Sequence, residues 1–153
     1  MVMIRKAQLS DLSTLQFFQD KLVVHERPFD PTIPKEGRVE YYDLKKLIES
    51  ENVLFLVAEV NNEIVGCCFG EIRKNDDIFT TKFYGYIGLM FVKKENRREG
   101  IGNLIINSLL EWFKQKKIYD IRLKVYAENS DAVKAYKKYG FQDFVLELRK
   151  EIE

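Results

Sequence analysis

The stretch with the clearest chemistry is Arg97-Arg98-Glu99-Gly100-Ile101-Gly102. It follows an apolar, strand-like run ending at Val92 and precedes an amphipathic, helix-like run. The start of a helix carries unpaired backbone N–H groups and the positive end of the helix dipole. Glycines let an anion approach that backbone, and Arg97, Arg98, Lys93 and Lys94 add positive charge beside it. The combination suits phosphate. It also suits a tight strand-to-helix turn with solvated arginines, and the glycine pair alone does not decide between the two. Two stronger templates fail. No Gly-Lys-Ser/Thr follows, so this is not a P-loop for nucleoside triphosphates. There is no third glycine three residues on and no opening βαβ unit, which argues against a dinucleotide fold.

A second pattern lies downstream, in Asn129-Ser130-Asp131-Ala132-Val133-Lys134-Ala135-Tyr136-Lys137-Lys138-Tyr139-Gly140-Phe141. Asn129 stands where an N-cap belongs, and Gly140 where a helix ends in a left-handed residue. Together the two segments resemble the GNAT superfamily of N-acetyltransferases. Arg97, Gly100 and Gly102 fill that family's Arg/Gln-x-x-Gly-x-Gly/Ala motif, and Asn129, Ala132, Tyr136, Gly140 and Phe141 match its second motif. The resemblance is specific from about Tyr84 to Phe141.

The resemblance implies acetyl-CoA as cosubstrate and no metal. It implies that backbone N–H groups across Arg98, Glu99, Gly100, Ile101, Gly102 and Asn103 hold the CoA pyrophosphate. The strand end Met90, Phe91 and Val92 would pair main-chain groups with the pantetheine arm, lying in a gap between two splayed strands like a guest strand. Asn129 would cap its helix and contact the pantetheine region, and Ala132 would let the cofactor pass close by. Tyr136 would be the catalytic residue. Attack of an amine on a thioester expels a strongly basic thiolate, and a placed hydroxyl can give it a proton. Packing in a core is the plain alternative for Tyr136, as simple helix capping is for Asn129.

The sequence departs from the family at one position. Many members carry a glutamate on the strand before the loop. Here that place is Gly88, between Ile87 and Leu89. The usual proton acceptor is missing, yet an ammonium must lose a proton before it can attack. Water, Glu71 on the neighbouring strand, Glu26 after the first helix, or a weakly basic amine are the alternatives. Gly88 could also leave room for a bulky substrate, with Tyr84 and Tyr86 on the same face. His25, the only histidine, reads as a surface or capping residue. A structural zinc site is unsupported.

Elements must position these residues. Ile4 to Ala7 reads as a short strand, and Ser10 as the N-cap of a helix ending near His25. Pro28, Pro31 and Pro34 make Glu26 to Gly37 a loop. A second helix is predicted over Val39 to Ser50. Val53 to Val60 and Ile64 to Ile72 form a hairpin about Asn61-Asn62-Glu63. Further strands are predicted at Tyr84 to Val92, Ile121 to Tyr126 and Phe141 to Leu148, and helices at Gly102 to Lys116 and Ser130 to Tyr139. Cys67 and Cys68 are strand neighbours that point to opposite faces, so they read as packing residues rather than a disulfide. The expected fold is α/β: a GNAT-like mixed, largely antiparallel sheet, helices on both faces, splayed between the fourth and fifth strands.

Composition narrows the partners. The 153 residues suit a single domain over residues 1–153, and 25 basic side chains balance 24 acidic ones. Such balance gives no bulk attraction to nucleic acid or anionic membrane. The first residues lack a signal-peptide pattern, and no apolar run approaches the roughly 18 residues of a membrane span. A cytoplasmic protein is expected. The expected activity is acetyl transfer from acetyl-CoA to a primary amine, small-molecule or protein, by direct attack in a ternary complex. The alternative is a CoA-binding sensor without transferase activity. Homodimers are common in the family, so a homodimer stays open.

Overall fold

The computed structural model describes residues 1–153. Five strands form one sheet in the order β1-β2-β3-β4-β5: Val2–Lys6, Val53–Val60, Glu63–Lys74, Phe83–Val92 and Ile121–Arg122. The first four are antiparallel neighbours, and β5 lies parallel to β4. The β2–β3 hairpin turns at Asn61 and Asn62, which both hold positive φ (51° and 63°). A two-residue turn of that kind needs positive φ at both positions, and asparagine tolerates it.

Helices cover both faces. On one, α3 (Ile101–Gln115) buries Ile101, Ile105, Ile106, Leu109 and Phe113. Each such side chain contributes about 1.5–3 kcal/mol on burial. On the other, α1 (Leu12–Glu26) and α2 (Leu44–Glu49) pack Leu15, Phe18 and Leu44 against Phe55, Val57, Phe69 and Leu89. The strand period of two decides the partition. Cys67 belongs to the α1 core and Cys68 to the α3 core, and both are fully buried free thiols. α4 (Ser130–Lys138) follows β5, and Tyr139 and Phe141 just beyond it pack onto the α3 core.

Several boundaries differ from the sequence expectation. Ser10 does not cap α1. A short 3-10 turn at Leu9–Asp11 precedes the helix, and the buried Asp11 carboxylate accepts from the Gln8 N–H at 2.7 Å. Arg5 fixes Asp11 through two bonds of 2.8 and 3.0 Å. The second helix starts at Leu44, because Asp43 caps it and Gln19 Oε1 holds the Tyr42 N–H at 3.0 Å outside the helix. The expected strand from Ile121 to Tyr126 stops at Arg122. Phe141 to Leu148 forms no ladder: a two-residue β5 offers too short an edge, and Phe144, Val145, Leu146 and Leu148 stay exposed.

The gap beside β4 is the feature that matters for function. β4 and β5 pair only at Gly85↔Ile121 and Tyr86↔Arg122. From Ile87 to Val92, β4 has no neighbour on that side. A bulge sits in the same stretch. The register shifts between Cys67 and Phe69, and opposite it Leu89 takes a positive φ of 50°. An added residue in one strand of a pair bends that strand and re-aims the residues beyond the bend. No helix is long and apolar enough to cross a membrane.

Candidate acetyl-CoA site

The loop after β4 turns twice through left-handed backbone, at Arg98 (φ 67°) and Gly100 (φ 80°). Such alternation aims successive N–H groups at one point. α3 then begins with Gly100 at its N-cap and no side chain bonded there. The N–H groups of Arg98, Glu99, Gly100, Ile101, Gly102 and Asn103 have no acceptor within the protein; the first bonded one is Leu104, to Gly100 O at 3.0 Å. A run of unpaired donors at a helix start is an anion cradle. A Cβ on Gly100 would meet nothing within 4 Å, so the space before the cradle is open.

Charge is distributed unevenly around it. Lys93 is committed to Glu63. Arg97 folds back, its Nε donating to the Val92 carbonyl at 2.9 Å, while Arg98 is exposed. The Lys93 N–H donates to Val65 on β3, so by alternation the main-chain groups of Met90 and Val92 face the gap beside β4.

Asn129 caps α4, its Oδ1 accepting from the Ala132 N–H at 3.4 Å. This fixes the first turn and with it Tyr136. The Tyr136 ring stands edge-on to Tyr139 and Phe141, at centroid distances of 6.5 and 6.2 Å. Burial, then the proximity of Cys68 and Glu26, pushes its phenol well above the usual range. At neutral pH it therefore keeps its proton.

Across the gap lies an aromatic and acidic cluster that the sequence only partly indicated. Tyr126, just past β5, donates to Asp30 at 2.7 Å and lies 6.2 Å from the Phe29 ring. This bond ties the turn after α1 to the far side of the gap. The Tyr42 and Tyr86 hydroxyls are 3.5 Å apart. The Tyr41 hydroxyl is buried with no hydrogen-bond partner. Tyr41 and Tyr126 carried no sequence signal beyond being aromatics in polar surroundings. His25 is exposed, its ring edge-on to Phe29 at a centroid distance of 5.7 Å.

Gly88 does not open a substrate space. A Cβ there would lie 2.5 Å from the Phe69 ring and 3.0 Å from the Tyr42 hydroxyl. The place is filled from β3 and from the loop before α2. Glu71 is held by Arg73, which lies 3.7 Å over the Tyr86 ring.

Comparison with known proteins identifies the family. The Acetyltransferase (GNAT) family model matches residues 17–141. An uncharacterised N-acetyltransferase of Methanocaldococcus jannaschii is 29% identical over 117 residues, covering 76% of this chain and 51% of that protein. An N-alpha-acetyltransferase of Sulfurisphaera tokodaii is 28% identical over 110 residues, covering 67% of this chain and 65% of that protein. The chain thus spans about half to two thirds of the length of these curated relatives. Among solved structures, a predicted acetyltransferase of Clostridium acetobutylicum, determined with acetyl-CoA, superposes with a TM-score of 0.74 at 26% identity over 97% of this chain and 96% of that one. A donor-lined loop at the start of α3, a β4 edge left open beside it and a tyrosine on α4 thus accompany a family match across most of the sequence, and the chain belongs to the acetyltransferase (GNAT) family.

Proposed function

We propose that this protein transfers the acetyl group of acetyl-CoA to a primary amine by direct attack, with both substrates bound together. The observation that carries the reading is the run of unpaired N–H groups from Arg98 to Asn103 beside the open edge of β4. Acetyl-CoA supplies the activated acetyl group and a thiol leaving group. The residues present suit it. The amides from Arg98 to Asn103 hold the pyrophosphate, with Arg98 adding charge. The main-chain groups of Met90 and Val92 line the pantetheine path, Phe91 lies between them, and Asn129 and Ala132 flank it from α4. Tyr136 gives its proton to the departing sulfur. A raised phenol pKa suits that duty, because the thiolate emerges in a site where the proton is still on oxygen.

Two substitutions test the two halves. Gly100→Asp places a carboxylate against the amides, in a left-handed residue that aspartate tolerates. Acetyl-CoA binding by calorimetry is expected to be lost while the melting temperature stays near wild type; unchanged affinity would refute the cradle. Tyr136→Phe is expected to slow CoA release about 100-fold at nearly unchanged acetyl-CoA affinity. A wild-type rate would remove Tyr136 from the chemistry.

A further inference from the structure

The far wall of the gap beside β4 lacks the usual means of holding a strand in place. Neighbouring strands are normally fixed by main-chain bonds at a spacing of about 4.8 Å. Beyond the Tyr86↔Arg122 pair, no main-chain group of residues 123–128 bonds to β4. Their only main-chain bonds are local, from the Asn129 N–H to Tyr126 and from the Ser130 N–H to Glu128. Leu123 still packs onto the α3 core, but Lys124, Val125, Ala127 and Glu128 are exposed. Tyr126 is the one side chain of the stretch that bonds to a distant part of the chain.

That bond comes from the α1 layer. The Tyr126 hydroxyl donates to Asp30 Oδ2 at 2.7 Å, and its ring lies 6.2 Å from that of Phe29. Asp30 sits in a turn that is itself well tied. Its Oδ1 accepts from the Thr32 N–H at 2.9 Å and the Thr32 hydroxyl at 2.5 Å. Arg27 donates to the Pro34 and Gly37 carbonyls, both at 2.9 Å, and Ile33 is buried. The position of Tyr126 along the gap matters as much. Counted on in parallel from Tyr86↔Arg122, it falls level with Met90, about 13 Å past the last pair. The Tyr126 carbonyl also accepts from the N–H of Asn129, the cap of α4, at 3.0 Å. A shift of Tyr126 would therefore carry the start of α4 with it.

We propose that Asp30 and Tyr126 are positioning residues for acetyl-CoA, a strut that holds residues 123–128 at the distance from β4 that the pantetheine arm fills. The inference rests on the acetyl-CoA reading above. A chain seated between two strands as a guest needs them about 9.6 Å apart, twice the ladder spacing. At that separation no main-chain bond reaches from wall to wall, so side chains from another layer must set the distance. With the strut in place the gap keeps its width before the cofactor arrives. Without it the wall is free to close on β4 or swing away, and only the fraction of molecules with the wall in place can take the arm.

Calorimetry with two ligands tests this: acetyl-CoA, and the phospho-ADP half of CoA, which carries the pyrophosphate and lacks the arm. Tyr126→Phe keeps the ring beside Phe29 and removes only the bond. It is expected to weaken acetyl-CoA binding about 10-fold and to leave the phospho-ADP half at its wild-type affinity, because the cradle from Arg98 to Asn103 is untouched. Asp30→Ala should show the same split. Adding Tyr126→Phe to Asp30→Ala should weaken acetyl-CoA by less than about twofold further, since both changes remove one shared interaction. A merely loosened fold would weaken both ligands alike, and that result overturns the inference. So do an unchanged acetyl-CoA affinity in Tyr126→Phe and fully additive losses in the double variant; each of these leaves the acetyl-CoA reading standing. If one single variant does not fold, the two-ligand comparison in the other decides. A wild type that binds no acetyl-CoA overturns that reading, and the strut falls with it.

Discussion

At Gly88 a missing side chain is a packing requirement. The Phe69 ring and the Tyr42 hydroxyl occupy the volume that a Cβ would need. Restoring the glutamate common in the family therefore should not restore a base. Gly88→Glu is expected to cost about 3 kcal/mol through overpacking and an unpaired buried charge, read from denaturant melts, with no gain in turnover. Faster turnover at full stability would show that the space is open. Residues whose roles depend on local backbone were legible in the sequence. Gly140 does take positive φ, and Asn129 does cap its helix. Tyr42 and Tyr126 meet partners that the chain brings from afar; Tyr42 and Tyr86 lie 44 positions apart, and Asp30 and Tyr126 lie 96 apart. No spacing rule reaches that distance.

At the scale of elements, the β2–β3 hairpin was legible because turn chemistry and alternation agree over Val53–Lys74. The start of the second helix was not. Its apolar periodicity extended back over residues 39–43, where Gln19 claims the Tyr42 N–H, while Asp43 caps the helix from outside by accepting from the Lys46 N–H. The last strand failed for a different reason, since pairing is a property of two segments and β5 is too short to offer an edge. The seam between α3 and the sheet is better defined. Phe113 fits against Gly70 and Gly85, where added Cβ atoms would lie 2.8 and 2.6 Å from its ring. Gly85→Ala should destabilise by about 1–3 kcal/mol. Shortening the ring with Phe113→Leu should then cost less in the Gly85→Ala background than in the wild type. A purely additive double mutant would mean that the two sites do not share that volume.

The molecule as a whole is two cores divided by one sheet, and the sheet opens only beside β4. That division keeps α4, which carries the proposed proton donor Tyr136, apart from α1. It also gives the two thiols a use as reporters. Cys67 and Cys68 are adjacent, both wholly buried, and sealed in different cores; burial raises both thiol pKa values, which makes each unreactive where it sits. Alkylation then requires opening, and each thiol times the opening of its own layer. In Cys67→Ala and Cys68→Ala variants, the surviving thiol becomes a clock for one side of the sheet. Saturating acetyl-CoA should slow the Cys68 clock more than the Cys67 clock, because the proposed cradle begins the helix that covers Cys68. Equal slowing would mean that the two layers open as one unit, so the adjacent pair can measure whether ligand protection is confined to one layer.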